Sequence, residues 1–328
     1  MRQHACGVHS LADMSRRHAA ICRAVTPLPG SQPRDHFKSL NIPGNCDGLT
    51  LLTALGRMVG NVSVAEWQAE FARGRVVSRE QRPVAATQVV WAGQRYQHLF
   101  PNVTEPEVNV AVEILHEDES LIVVNKPAPL PMHAGGRFYL NTLQHILNAV
   151  YHPQEPHPAH RLDANTTGLV LVARTRPFAA RLQSQFAQGR VEKAYLVRVP
   201  GQMPADDFHC DAPISAGSGE GCSRTTDLKN GLAARTEFRV LRRLPDGTNL
   251  LEARPLTGRT NQIRVHLWHL GFPVCGDSIY LPGQKLGHTQ TLAVGEPPLC
   301  LHAARVRFLH PLSLEPVEFN APLPAWAK

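Results

Sequence analysis

Along residues 47–100 the apolar positions follow helical spacing. Leu51, Leu52, Leu55 and Val59 mark a first helix, and Trp67 and Phe71 mark a second that ends at the Gly74 turn. Arg75-Val76-Val77 then reads as a short strand, so this block is expected to be a small α/β unit. Residues 101–107 contain Pro101 and Pro106 and no periodicity, which predicts a linker. Beyond it the pattern changes to short apolar or alternating runs at 114–115, 121–125, 169–173, 194–199, 238–241, 249–253 and 305–308, each bounded by turn residues. Two helices interrupt them. One spans 177–188, where Phe178, Leu182 and Phe186 fall every four residues, Pro177 suits the first turn and Gly189 closes it. The other spans 260–270 and stops at Gly271 and Pro273. Many strands and few helices predict an α+β domain over 108–328, with helices packed on a mixed sheet.

Residues 1–46 show no such pattern. The first 45 carry six lysines and arginines against Asp13 and Asp35, with Pro27, Pro29 and Pro33 in the second half, so a flexible basic arm is expected. A transit peptide fits less well, because serines are few and the amphipathicity is poor. Over all 328 residues the formal charge is +7, a modest excess that allows a polyanionic partner without requiring one. Seven cysteines without a CxxC argue against a disulfide framework or a zinc ribbon and point to reduced thiols in the cytoplasm. No apolar run approaches the roughly 20 residues needed to cross a bilayer.

Three separated segments hold the candidate chemistry. His160-Arg161-Leu162-Asp163-Ala164-Asn165-Thr166-Thr167-Gly168 leads into an apolar strand, which presents Asp163 at a strand entrance. By itself this composition is ordinary turn chemistry. In Lys193-Ala194-Tyr195-Leu196-Val197-Arg198-Val199, strand alternation gives Tyr195 the same face as Val197 and Val199. Its ring suits either stacking on a base or plain core packing. The third segment, 254–267, is a strand end, a glycine turn and a helix start containing Arg259 and Arg264. On that helix Ile263, His266, Leu267 and Leu270 form the apolar stripe, which makes His266 a structural histidine and leaves Arg264 near the first turn, free to reach a carboxylate. The ordinary alternative for both arginines is a solvated surface.

Together these segments resemble the RluA-type pseudouridine synthases, whose HRLD loop, KxYxxxV strand and TGRTxQIRVHL helix occur here in order. The resemblance extends to 121–127, to 271–277 with Tyr280, and to Leu301-His302-Ala303 before His310-Pro311, covering roughly residues 110 to 322. It implies a mixed, mostly antiparallel sheet with flanking helices and a central cleft. It also implies cofactor-free and metal-free isomerisation of uridine to pseudouridine in structured ribosomal or transfer RNA, by a monomer that does not act on DNA. By the same resemblance Asp163 attacks C1′ or takes a proton from C2′, Arg264 holds the Asp163 charge, and Tyr195 stacks on the uracil. His160, Arg161, Arg259, Lys126, Thr167 and Lys193 are expected to meet the RNA, and 47–100 is expected to be an S4-like RNA-binding unit. Ala164, Asn165 and Asn261 depart from the usual pattern, which more often has a basic residue, an acidic residue and a histidine there. Two other functions compete: a non-catalytic RNA-binding or assembly factor, which intact Asp163, Tyr195 and Arg264 speak against, and an Asp/His hydrolase, which lacks a nucleophile elbow or second acid.

Overall fold

A computed structural model describes residues 11–60, 62–203, 205–217 and 223–328. The chain divides into two compact units, one of residues Gly30–Glu105 and one of Met1–Pro29 with Pro106–Lys328.

The expected flexible arm is ordered wherever it is described; its first ten residues, with Cys6, and also Cys222, lie outside the described set. Helix α1 (Leu11–Ala24) belongs to the larger unit, where Ile21 and Val25 join the main core. Arg17 donates to Glu117 at 3.0 and 3.2 Å and lies 4.4 Å over the Tyr151 ring. A count of charges misses this, because the basic side chain has one acidic partner and the apolar residues between the charges are buried.

Strand β1 (Arg34–Asn41) belongs instead to the smaller unit, which therefore begins well before residue 47. Helices α2 (Leu51–Met58) and α3 (Val64–Ala72) follow. Ser63 and Glu66 close a reciprocal capping box at the start of α3. Strands β2 (Val76–Val77) and β3 (Arg95–Val103) complete a sheet of order β1-β3-β2, whose core centres on Leu51, Leu55, Trp67 and Val76. The first three residues of the expected linker are thus strand. Pro101 is tolerated because the pairing register slips there, with His36 opposite Phe100 and Arg34 opposite Val103, so no ladder N–H is required of it.

The larger unit is built on one sheet. Its elements run β4 (Glu113–Glu117), β5 (Leu121–Lys126), α4 (Leu143–Tyr151), β6 (His157–Pro158), β7 (Thr167–Ala173), α5 (Arg176–Ala187), β8 (Glu192–Pro200), β9 (Asp207–Cys210), β10 (Thr236–Arg243), β11 (Thr248–Pro255), α6 (Gln262–His269), β12 (Tyr280–Leu281), β13 (Lys285–Leu286), β14 (Leu301–Leu309) and β15 (Pro316–Asn320). The main sheet has the order β4-β5-β7-β14-β8-β11-β10-β9, with β15 on β14 and β6 on β7. Its pairings are antiparallel except β7 with β14. That parallel seam is very close: Gly168 has φ +108°, and a Cβ there would stand 2.3 Å from the Ala303 carbonyl oxygen. β5 and β7 read as unbroken apolar runs because both faces are covered; Leu121 to Val124 and Leu169 to Ala173 are all buried. The cleft opens where β7, β8 and β14 meet the start of α6.

Candidate active site

The loop from 160 to 166 enters β7 and is fixed at nearly every residue. His160 Nε2 accepts the Leu171 N–H at 3.0 Å and its ring lies against Phe186. Burial, with the nearby Lys193 charge, lowers its ring to about 4, so this histidine braces the loop as a neutral acceptor. The Ala164 carbonyl accepts from Leu130 N–H at 2.9 Å and from Lys126 Nζ at 3.1 Å. Asn165 grips the 290–292 segment with both ends of its amide, to Gln290 O and from Leu292 N, each at 3.0 Å. Asp163 is thereby set on a rigid support, one quarter exposed.

Arg264 reaches it from α6. This helix is buried on nearly every side from Gln262 to Trp268, so a two-faced helix pattern does not describe it, and the arginine expected at the edge of an apolar stripe is 3% exposed. Its fork is shared between two acids. Nε and Nη2 donate to Asp277 Oδ2 and Oδ1 at 2.7 Å each, and Nη1 donates to Asp163 Oδ2 at 3.1 Å. Burial disfavours the guanidinium charge, but the Asp277 hydrogen bonds and the charges of Asp277 and Asp163 outweigh it and raise its affinity for the proton. Asp277 is fixed in turn by the Ile279 and Tyr280 N–H groups at 2.9 and 3.0 Å. Gln262 anchors the helix start, accepting from Thr257 Oγ1 and Arg259 N–H and donating to Arg235 O and Thr236 Oγ1. His266 is structural, bonded to Thr236 Oγ1 at 2.9 Å and Ala212 O at 3.0 Å.

A cavity of about 530 Å³ opens on this arrangement, lined among others by Asp163, Tyr195, Ile263 and Arg264, with Arg161, Lys193 and Arg259 at its walls. That volume suits a small ligand or one extruded nucleotide. Burial, then the Asp163 charge, raises the Tyr195 hydroxyl well above its ordinary value, so the ring is neutral. A second cavity of about 820 Å³ shares Arg161, Asp163, Asn261 and Arg264 with the first and adds His133, Arg137 and His288.

A model of the RNA pseudouridylate synthase family matches residues 120–269. The ribosomal large subunit pseudouridine synthase D of Nitrosomonas europaea is 34% identical over 303 residues, covering 90% of this chain and 87% of that protein. The chain belongs to the pseudouridine synthase family. Human pseudouridylate synthase RPUSD2 is 35% identical over 66% of this chain and 39% of its own length. The solved human RNA pseudouridylate synthase domain containing 1 superposes with a TM-score of 0.53 at 28% identity, covering 65% of this chain and 84% of that one. The mixed, mostly antiparallel sheet is that of a pseudouridine synthase, and the family's reaction is the isomerisation of uridine in RNA.

The structure divides the expected RNA contacts of this synthase. Arg161 and Arg259 are exposed at the cavity, although Arg259 Nε also donates to Ala233 O at 3.0 Å, and Lys193 lines it at partial exposure. Lys126 is a correction. It is fully buried, and its ammonium donates to the carbonyls of Pro127, Leu130 and Ala164, so it supports the loop from beneath and cannot touch RNA. Burial brings it down to about 7, with the Asp163 charge working the other way. Thr167 is also tied into the fold, its hydroxyl paired with His302 Nδ1 at 2.8 Å across the parallel seam. Two residues missing from the expected site belong in it: Asp277, which shares Arg264, and Asn261, which contacts Asp163 directly. The sequence signal for Asp277 was its place in the Gly276-Asp277 segment, and for Asn261 its departure from histidine.

Proposed function

We propose that this synthase isomerises selected uridines of ribosomal RNA, with Asp163 as the catalytic carboxylate, Arg264 as its charge partner and Tyr195 as the platform under the uracil. The observation that carries the reading is the Asp163–Arg264 pair at 3.1 Å on the wall of a nucleotide-sized cavity, beside a neutral aromatic ring.

The bond from C1′ to N1 breaks, the base turns in place, and C1′ joins C5; C5 gives up a proton and N1 gains one. No electrons or groups enter from outside. A glycosidase needs a second carboxyl to manage its leaving group and water, whereas here the base stays enclosed and is recaptured, so one carboxylate suffices. Extruding the nucleotide costs a few kcal/mol of stacking. Arg161, exposed where the two cavities join, is placed to offset that cost by filling the gap or holding the backbone. Ribosomal RNA is favoured because relatives named ribosomal large subunit pseudouridine synthases C and D align over 64 to 90% of this chain. Residues 30–105 serve as an S4-like grip on the RNA; their helix pair, the Gly74-Arg75-Val76 turn and exposed Arg34, Lys38, Arg79, Arg82 and Arg95 support that role.

The test is to incubate purified protein with unmodified ribosomal and transfer RNA and map pseudouridine, in parallel with Asp163→Asn. The wild type is expected to modify ribosomal RNA at discrete positions and the variant to fall at least about a thousandfold while staying folded. Product from both proteins, or from neither, refutes the assignment of Asp163, and product confined to transfer RNA refutes the substrate.

A further inference from the structure

Asn261 occupies the N-cap of α6 but does not behave as a cap. An N-cap asparagine ordinarily has an extended backbone and accepts from the first turn of its helix. Here it is left-handed, φ 56° and ψ 17°, and its side chain makes no cap hydrogen bond. Left-handed backbone is rare outside glycine, though asparagine is among the residues that adopt it most readily. Both local preferences are given up for one contact. With the amide turned so that it donates to the carboxylate, its nitrogen lies 2.8 Å from Asp163 Oδ2 and 3.2 Å from Oδ1, and its oxygen accepts from Tyr280 Oη at 3.1 Å. The reverse orientation would gain a long 3.4 Å bond from Arg264 Nη1 and a 3.1 Å bond to Tyr280 Oη, but it would set the amide oxygen against the carboxylate at 2.8 Å, acceptor facing acceptor. Tyr280 is buried, and its Oη accepts the Arg224 N–H at 3.0 Å; its single proton is divided between the Arg224 carbonyl, also at 3.0 Å, and the amide oxygen.

We propose that Asn261 is a positioning residue that determines which oxygen of Asp163 meets the nucleotide. Oδ2 receives two donors, Arg264 Nη1 at 3.1 Å and Asn261 Nδ2 at 2.8 Å. Oδ1 receives only the longer share of the amide, so its lone pairs stay open and it is the reacting atom. The charged neighbour holds the charge; the neutral neighbour holds the rotation. Other groups bear on Asp163 as well: Arg161 and His160 from its own loop, Lys126 from β5, Lys193 and Tyr195 from β8, Arg259 before α6, and Asp277 through Arg264. None of them supplies a second hydrogen bond to the carboxylate among the described residues.

The inference rests on Asp163 being the catalytic carboxylate, and the experiment separates the two. Pseudouridine formation is followed on a ribosomal RNA transcript across pH for the wild type, Asp163→Asn, and Asn261→Gly, →His and →Asp. Glycine keeps the left-handed backbone and removes only the amide, so kcat is expected to fall about ten- to a hundredfold, the scale of one hydrogen bond to a charged group, with KM unchanged. Histidine restores an N–H donor and is expected to recover part of that rate. Aspartate sets a second negative charge against the first, and the acid limb of its profile is expected to move to higher pH. A glycine variant at the wild-type rate or altered only in KM, a histidine variant no better than glycine, or an aspartate profile that superposes on the wild type overturns the role of Asn261. Activity retained by Asp163→Asn overturns the underlying reading instead.

Discussion

Two carboxylates sit at opposite ends of the β5–β7 pair, and their surroundings differ in how far their oxygens are filled. Asp118, in the turn before β5, has both oxygens filled: Oδ1 accepts from Ser120 N–H, Ser120 Oγ and Leu121 N–H, and Oδ2 pairs with His116 Nε2 and His310 Nε2, all between 2.7 and 3.0 Å. Asp163, beyond the other end, has two close donors on Oδ2 and one long one on Oδ1. A buried acceptor without a full set of partners costs stability, so the saturated site is what folding alone favours. The open oxygen of Asp163, a residue one quarter exposed on the cavity wall, instead keeps capacity for a substrate.

The largest test of this contrast is Arg264→Lys. A lysine has no fork to bridge Asp277 and Asp163, and one of the two acids is left without its partner. Turnover is expected to fall about a thousandfold, comparable to losing a general acid or base. Stability is expected to fall by about 3–5 kcal/mol as a buried pair is broken, read by denaturant unfolding. A variant within tenfold of wild-type turnover would show that the fork is not what maintains Asp163.

Asp277→Asn is the more discriminating change. It keeps the shape of the side chain and removes the charge that holds Nε and Nη2 of Arg264 away from Asp163. The freed guanidinium is then drawn onto both oxygens of Asp163, which makes that carboxylate resemble Asp118. The expected result is a kcat loss of about ten- to a hundredfold with a smaller stability loss than Arg264→Lys. Unchanged turnover would mean that an open oxygen on Asp163 is not required.

Much of this site was legible in the chain because its parts lie in short segments with their own patterns. The apolar runs ending at Lys126 and Ala173 gave the central strands, and the loop and helix carrying Asp163 and Arg264 stood out by their resemblance to family motifs, since their composition alone was ordinary. What stayed hidden depends on distance along the chain. β1 pairs with β3 some sixty residues later, and neither segment shows its partner. Lys126 ends an apolar strand and was expected to meet the RNA; only the fold brings three carbonyls to its ammonium. Asp277 matters because the chain turns back after α6 and returns it to a residue thirteen positions earlier. In each case the missing knowledge was which polar groups would be buried together, which periodicity does not encode.

The saturated end of the comparison gives the smallest effect and the clearest sign. Burial works against the Asp118 charge, but hydrogen bonds from His116, the Ser120 backbone, His310 and the Ser120 hydroxyl outweigh it and hold the carboxyl well below its ordinary value. A carboxyl lowered on folding contributes stability that is fully present above its unfolded value, about 3.9, and is lost as pH falls through its folded value. Asp118→Asn removes the titrating group while keeping its size. The variant is expected to turn over substrate at the wild-type rate and to be less stable by about 1–3 kcal/mol at neutral pH. Below about pH 4 the gap between the two proteins should narrow, because the unfolded wild type takes up a proton that its folded state still excludes, while the variant has no such group. A gap that stays constant down the pH scale would mean that Asp118 holds its turn by shape alone. The difference between the two ends of β5 would then lie in geometry rather than in how each carboxylate keeps its charge.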